Sequence, residues 1–189
     1  MNRLPHSRDM APSAFVRECA ETLVRASRGK PILDVACGSG RNGLYLASFG
    51  CEIVFIDRDL TRLQDHGRFN SFEIDLARAP WPIGPCELGG IVNVHFLLPE
   101  LFPHFAASLA PGAYLLLETV PGCGCNYREL PKAGRLRQQL AADFDLALRA
   151  NIDETVLPVI ITEQGENRNQ CEEQRNLFGC PYGFARRGT

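Results

Sequence analysis

The polar residues that could do chemistry sit within or beside apolar runs in the first half of the chain. Asp34 interrupts residues 31–36 (PILDVA). Gly38-Ser39-Gly40-Arg41-Asn42-Gly43 follows at once and matches G-x-G-x-x-G between a strand pattern and a helix pattern. Glycines at this spacing allow a tight turn and close approach of backbone to a ligand. Asp57, with Arg58 beside it, ends the run 51–56 (CEIVFI), about one βα unit later. A carboxylate there can accept hydrogen bonds from both hydroxyls of a ribose. The pattern reads as a site for an adenosine-containing ligand, NAD included. Asp34 shifts that balance, because a buried carboxylate is costly without a partner and would repel a pyrophosphate. An ammonium or sulfonium group would be attracted to it. Asp75-Leu76 offers a carboxylate for an adenine amino group and a backbone N–H for the ring.

The elements that must hold these residues follow from periodicity. Phe15, Cys19 and Leu23 fall at i, i+4 and i+8, which predicts a helix with Pro12 in its first turn and Gly29 just past its end. Strands are expected at 31–36, 51–56, 71–74, 88–94, 113–119 and 144–148. Helices are expected at 41–49, 59–66, 99–109 and 132–142, with a Pro111-Gly112 turn. Residues 156–162 (VLPVIIT) are β-branched, and their internal proline predicts an edge strand. Strand–helix alternation means βαβ units in a mostly parallel, doubly wound α/β sheet. Such sheets bind ligands outside the carboxyl ends of their strands. Asp34, the glycine loop, Asp57, Asp75, Asn93 and His95 all fall at that edge. Residues 163–175 (EQGENRNQCEEQR) contain no aliphatic residue and read as a loop or disordered excursion.

Composition bounds the rest. The chain has 189 residues, about one domain, with 45% apolar and 22% charged residues. Twenty basic against 22 acidic side chains give a net charge of −2. That balance lacks the basic footprint of a duplex-DNA or long-RNA binder. No run is long enough to span a membrane, and the first twenty residues hold no apolar signal core. A cytoplasmic location follows as an expectation. There thiols stay reduced, so the eight cysteines predict free thiols or a metal site rather than disulfides.

Residues 33–47 (LDVACGSGRNGLYLA) resemble motif I of the class I S-adenosylmethionine (SAM) methyltransferases. The Cys-Gly-x-Gly-Arg-Asn form is similar to their tellurite-resistance and small-molecule branches. The resemblance spans about residues 30–142. It implies a Rossmann-like, seven-stranded sheet with an antiparallel last strand, SAM as cofactor and a small-molecule methyl acceptor. It implies further that Asp34 and the Cys37–Gly40 loop, with Gly38 and Gly40 in it, hold the methionine portion. Asp57 then serves the ribose, Asp75 and Leu76 the adenine, and Asn93 the sulfonium and methionine amine, with Ala36, Asn42 and Arg58 as further cofactor-binding candidates. Ala36 stands where many members carry a glycine. A non-catalytic SAM- or adenosine-binding regulator and an NAD-dependent oxidoreductase are the alternatives.

Methyl transfer is an in-line displacement in which the protein aligns the acceptor and excludes water. An alcohol or ammonium acceptor also wants a general base. His95, just after the fourth strand, is the candidate base, with a packing or capping histidine as the bland alternative. Residues 119–131 (TVPGCGCNYRELP) suit a lid, and Tyr127 is its candidate acceptor-facing residue. Glu118 reads either as a site residue or as a structural acceptor. No Asn/Asp-Pro-Pro-aromatic pattern of the amine-methylating nucleic-acid enzymes is present. Cys19, Cys37 and Cys51 read as small core or loop residues. Cys123, Cys125, Cys171 and Cys180 have neither C-x-x-C spacing nor paired histidines, which argues against zinc.

Overall fold

The computed structural model describes residues 11–63, 66–119, 140, 145–147 and 157–162. The first helix, α1 (Ala14–Ser27), begins at Ser13, whose Oγ accepts from the Val16 N–H at 3.2 Å. Pro12 thus lies ahead of the cap rather than in the first turn. The helix ends at Arg28 and Gly29, which have φ +51° and +78°. Phe15, Cys19 and Leu23 are buried along one stripe, as their spacing predicts. Burying a side chain such as Leu23 contributes roughly 1.5–3 kcal/mol.

The strands are β1 (Ile32–Val35), β2 (Ile53–Asp57), β3 (Asn70–Glu73), β4 (Leu88–Val94), β5 (Leu109–Thr119), β6 (Asp145–Ala147) and β7 (Leu157–Thr162). They form one sheet in the order β3-β2-β1-β4-β5-β7-β6. The pairs from β3 through β5 are parallel, and β7 is antiparallel to both β5 and β6. The mixed, mostly parallel α/β sheet expected from the sequence is present. Alternation along each strand feeds two cores. Val35, Val54, Ile91, Leu115 and Leu117 face one layer with Leu101, Phe102 and Phe105. Ile32, Phe55, Val92 and Leu116 face the other layer with α1 and α2 (Arg41–Ala47).

Several local expectations change. Residues 59–66 do not form an α-helix across their described part. Asp59 Oδ1 instead accepts from the Thr61 N–H at 2.9 Å and its hydroxyl at 2.6 Å, which favours a turn. A 3-10 turn follows at His66–Arg68. The expected 99–109 helix starts as a 3-10 turn (Pro99–Leu101) and continues as α3 (Phe102–Ser108). β5 starts at Leu109, ahead of the expected turn. Gly112, at φ +79°, and a register irregularity against β4 mark where that turn was expected. Strand β7 is interior rather than an edge, flanked by β5 and β6. Among the described residues β6 pairs with Ile160–Thr162, and the strand paired with Pro158 is β5, which leaves room for a proline there. Of the expected 132–142 helix only Leu140 is described; it is buried in the α3-side core.

Cys19 and Cys37 are buried and Cys51 half-buried, and none of the three is in a disulfide. Cys86 departs from the expectation of reduced thiols: it is disulfide-bonded. No group of three or more potential metal ligands gathers among the described residues, and none of their helices is long and apolar enough to cross a membrane.

Candidate functional site

The parallel pairing of β2, β1 and β4 fixes where the polar residues lie. Asp34 pairs in register with Phe55 and Val92, so its side chain points to the α2 face. There its Oδ2 accepts from the Gly43 N–H at 2.8 Å. Helix α2 comes so close that a Cβ on Gly43 would run into the Phe55 ring and reach 3.0 Å from Asp34 Oδ2. Asp34 is 2% exposed. Burial pushes its pKa up to about 7, against the pull of the Gly43 N–H and Arg41. Burial, with Asp34 and Asp57 nearby, pushes the Cys37 thiol up as well, so it stays protonated and is a poor nucleophile.

Asp57 closes the glycine loop from the next strand. Its Oδ2 accepts from the Gly38 N–H at 2.7 Å, and its Oδ1 from the Asp59 N–H at 3.1 Å. The Gly40 N–H goes to the Cys37 carbonyl at 2.9 Å. All three glycine N–H groups of the motif are therefore spent inside the protein. Ala36 carries φ +52° at the head of the loop. That left-handed backbone suits the glycine that many relatives of the motif place there.

Two cavities open around this loop. One, about 320 Å³, is lined by Asp57, Arg58, Asp75, Leu76, Ile74 and Phe96, among others. The other, about 250 Å³, is lined by Asp34, Cys37, Ser39, Arg41, Asn42 and His95, among others. They share Ala36, Gly38 and Arg62. The residues expected at the ribose and adenine thus gather in the first. Most of those expected at the methionine portion gather in the second. Gly40 lies in the loop but in neither lining. Asn93 also lines neither: it is 1% exposed, on the α3 side of β4, and among the described residues neither its Oδ1 nor its Nδ2 has a hydrogen-bond partner. Tyr127 lies outside the described residues.

His95 follows β4 with φ +60° and a half-exposed side chain. Its N–H donates to the Glu118 carbonyl at 2.8 Å, and its Nε2 lies 3.7 Å from Glu118 Oε1. Glu118 Oε2 accepts from the Ser13 hydroxyl, and the Ser13 N–H donates to Asn42 Oδ1 at 2.9 Å. Glu118 therefore does structural work, tying the start of α1 to the end of β5 beside His95. Sequence reasoning missed Ser13, Arg62 and Phe96. Ser13 alone left a signal, a serine directly ahead of a helical pattern.

No family model and no curated protein matches the chain. Solved structures do. The 1,6-didemethyltoxoflavin-N1-methyltransferase of Burkholderia thailandensis, with bound 1,6-didemethyltoxoflavin and S-adenosylhomocysteine, matches at TM-score 0.58 and 15% identity. That match covers 80% of this chain and 79% of that one. The N-methyltransferase NodS of Bradyrhizobium japonicum, in complex with S-adenosylhomocysteine, matches at 0.59 and 19%, over 86% and 93%. The chain has the fold of the SAM-dependent methyltransferases. A TehB-like SAM-dependent methyltransferase of Corynebacterium glutamicum agrees, at 0.61 and 18% over 80% and 89%. Within this methyltransferase fold, the paired cavities lie at the C-terminal ends of β1, β2 and β4, where doubly wound sheets take ligands.

Proposed function

We propose that the protein is a SAM-dependent methyltransferase acting on a small-molecule acceptor. The observation that carries this reading is how the glycine loop spends its donors. A dinucleotide-binding loop presents its N–H groups to a pyrophosphate. Here Asp57 takes that of Gly38, Asp34 that of Gly43, and a backbone carbonyl that of Gly40. Two carboxylates stand where phosphates would need cations or free N–H groups. The same carboxylates suit a ligand with ribose hydroxyls at one end and an ammonium at the other. The paired cavities fit such a ligand by chemistry: the Asp57 cavity has apolar walls and a carboxylate rim, and the Asp34 cavity has polar walls.

SAM would supply an electrophilic methyl group and a neutral thioether leaving group. Asp57 and Arg58 would hold its ribose, Asp75 and Leu76 its adenine, and Asp34 with the loop its methionine ammonium. His95 would take the acceptor's proton where the acceptor is an alcohol or ammonium, its position set by the two contacts with Glu118. The α1 start, clasped by Ser13 to Glu118 and Asn42, would help keep water from the Asp34 cavity.

Thermal unfolding with added SAM, S-adenosylhomocysteine or NAD tests the cofactor. The first two will raise the midpoint and NAD will leave it unchanged, since only a ligand of the folded form stabilises it. A rise with NAD alone would return the chain to the oxidoreductase reading. In calorimetry, Asp57→Ala will weaken S-adenosylhomocysteine about tenfold or more, because the ribose hydroxyls lose a charged acceptor. Unchanged affinity would remove the ribose assignment. Conversion of SAM to S-adenosylhomocysteine with a panel of small acceptors separates an enzyme from a SAM-binding regulator.

A further inference from the structure

We propose that Arg62 is the group that receives the α-carboxylate of the cofactor's amino-acid end. This assignment rests on the SAM reading above and adds a residue that motif I does not contain. Three residues line both cavities, and Arg62 is the charged one among them. A ligand that spans the two cavities therefore has Arg62 along its wall in both.

The turn that carries Arg62 is anchored in the core. Leu60 and Leu63 are 4% and 6% exposed in the core beneath α1 and α2, and the Leu63 N–H closes a turn on the Leu60 carbonyl at 3.0 Å. Leu63 packs directly under the glycine loop, where a Cβ on Gly40 would collide with its Cδ1. Arg62 stands between these two anchors and faces out. Asp59, the neighbouring carboxylate, accepts twice from Thr61, and Arg58 and Arg62 both act on its charge.

The Asp34 cavity has a second arginine, Arg41. Its Nη1 already donates to the Ala11 carbonyl at 3.3 Å, and it borders one cavity alone. A zwitterionic amino-acid group needs an anion for its ammonium and a cation for its carboxylate. Asp34 and Arg62 supply that pair across one cavity. A guanidinium is suited to the second role because its planar fork matches a carboxylate in two parallel hydrogen bonds.

Two ligands separate this role from a packing role: S-adenosylhomocysteine, and 5′-methylthioadenosine, which keeps the nucleoside and thioether but lacks the amino-acid end. Calorimetry on the native protein and on Arg62→Ala and Arg62→Gln reads both. The variants will bind S-adenosylhomocysteine about tenfold or more weakly, the scale of a lost charge-assisted pair, and methylthioadenosine within about twofold of native. Parallel losses for both ligands would overturn the assignment, because Arg62 would then be shaping the loop. Undiminished S-adenosylhomocysteine affinity in the variants would overturn it alone and leave the cofactor reading standing. No S-adenosylhomocysteine binding by the native protein would overturn both.

Discussion

Asp34→Asn will be more stable than the native chain at pH 8, and the advantage will shrink to near zero by pH 4. The cause is the carboxyl in the apolar face of β1, whose pKa burial raises from 3.8 to about 7. Below pH 3.8 the group is protonated in both folded and unfolded chains and contributes no difference. As the pH rises toward 7, the unfolded chain ionises freely while the folded one is held neutral. The unfolded state is therefore favoured progressively, until the folded carboxyl ionises too and the loss levels off. Each pKa unit is worth about 1.4 kcal/mol, so the loss totals about 4 kcal/mol. Asparagine keeps an acceptor for the Gly43 N–H and never ionises. Urea unfolding of both proteins from pH 4 to pH 8 measures the difference directly, and other titrating groups cancel in it. A difference that stays flat with pH would mean that Asp34 is ionised throughout. The same variant should lose S-adenosylhomocysteine affinity above pH 7, since a neutral amide cannot balance the ammonium. The native chain thus carries a stability cost at this position, as expected of a group kept for binding rather than folding.

The sequence made the centre of the fold legible, because strands buried on both faces leave a strong signal. β4 spans the expected residues 88–94, and β1 and β2 lie within a residue or two of their apolar runs. The glycine loop was legible for a different reason. Glycine is needed at Gly40 by both a φ of +75° and the Leu63 side chain against it, and at Gly43 by the Phe55 ring. The turn after β2 was misread as a helix. Its apolar residues, Leu60 and Leu63, have the i, i+3 spacing of a helix face, while the Asp59–Thr61 hydrogen bonds that decide the turn leave no periodic trace. The edge reading of β7 failed because the length of its neighbour β6 could not be read from β7 itself. Arg62 was invisible for the same kind of reason: its place at the meeting of two cavities comes from Leu63 packing under Gly40, a contact between β2–β3 and β1–α2 connections. Glu118 was ambiguous in sequence and became specific only when Ser13, over a hundred positions away, arrived beside it.

Asn93→Leu will raise the stability of the unliganded protein by about 2 kcal/mol. Asn93 pairs in register with Val35 on β1 and Leu117 on β5, and both partners belong to the apolar core on the α3 side. Its own side chain faces that core, two residues beyond Ile91 on the same strand. The carboxamide is 1% exposed, and neither polar atom finds a partner among the described residues. An unpaired buried donor or acceptor costs about 1–3 kcal/mol. Leucine branches at the same carbon and replaces both polar atoms with methyl groups. The gain from removing two orphans is offset in part by the extra volume, for which overpacking costs of about 1 kcal/mol are typical. Urea unfolding of the unliganded protein measures the net effect. A loss of stability would overturn the reading of the amide as an unpaired group in an apolar core. Calorimetry on the same variant addresses the residue's role. A drop in S-adenosylhomocysteine affinity would support the sulfonium-side role that the motif resemblance implies. Unchanged affinity alongside the stability gain would leave the acceptor as the remaining claimant for the amide, since an amide with no partner and no ligand would be a cost without return.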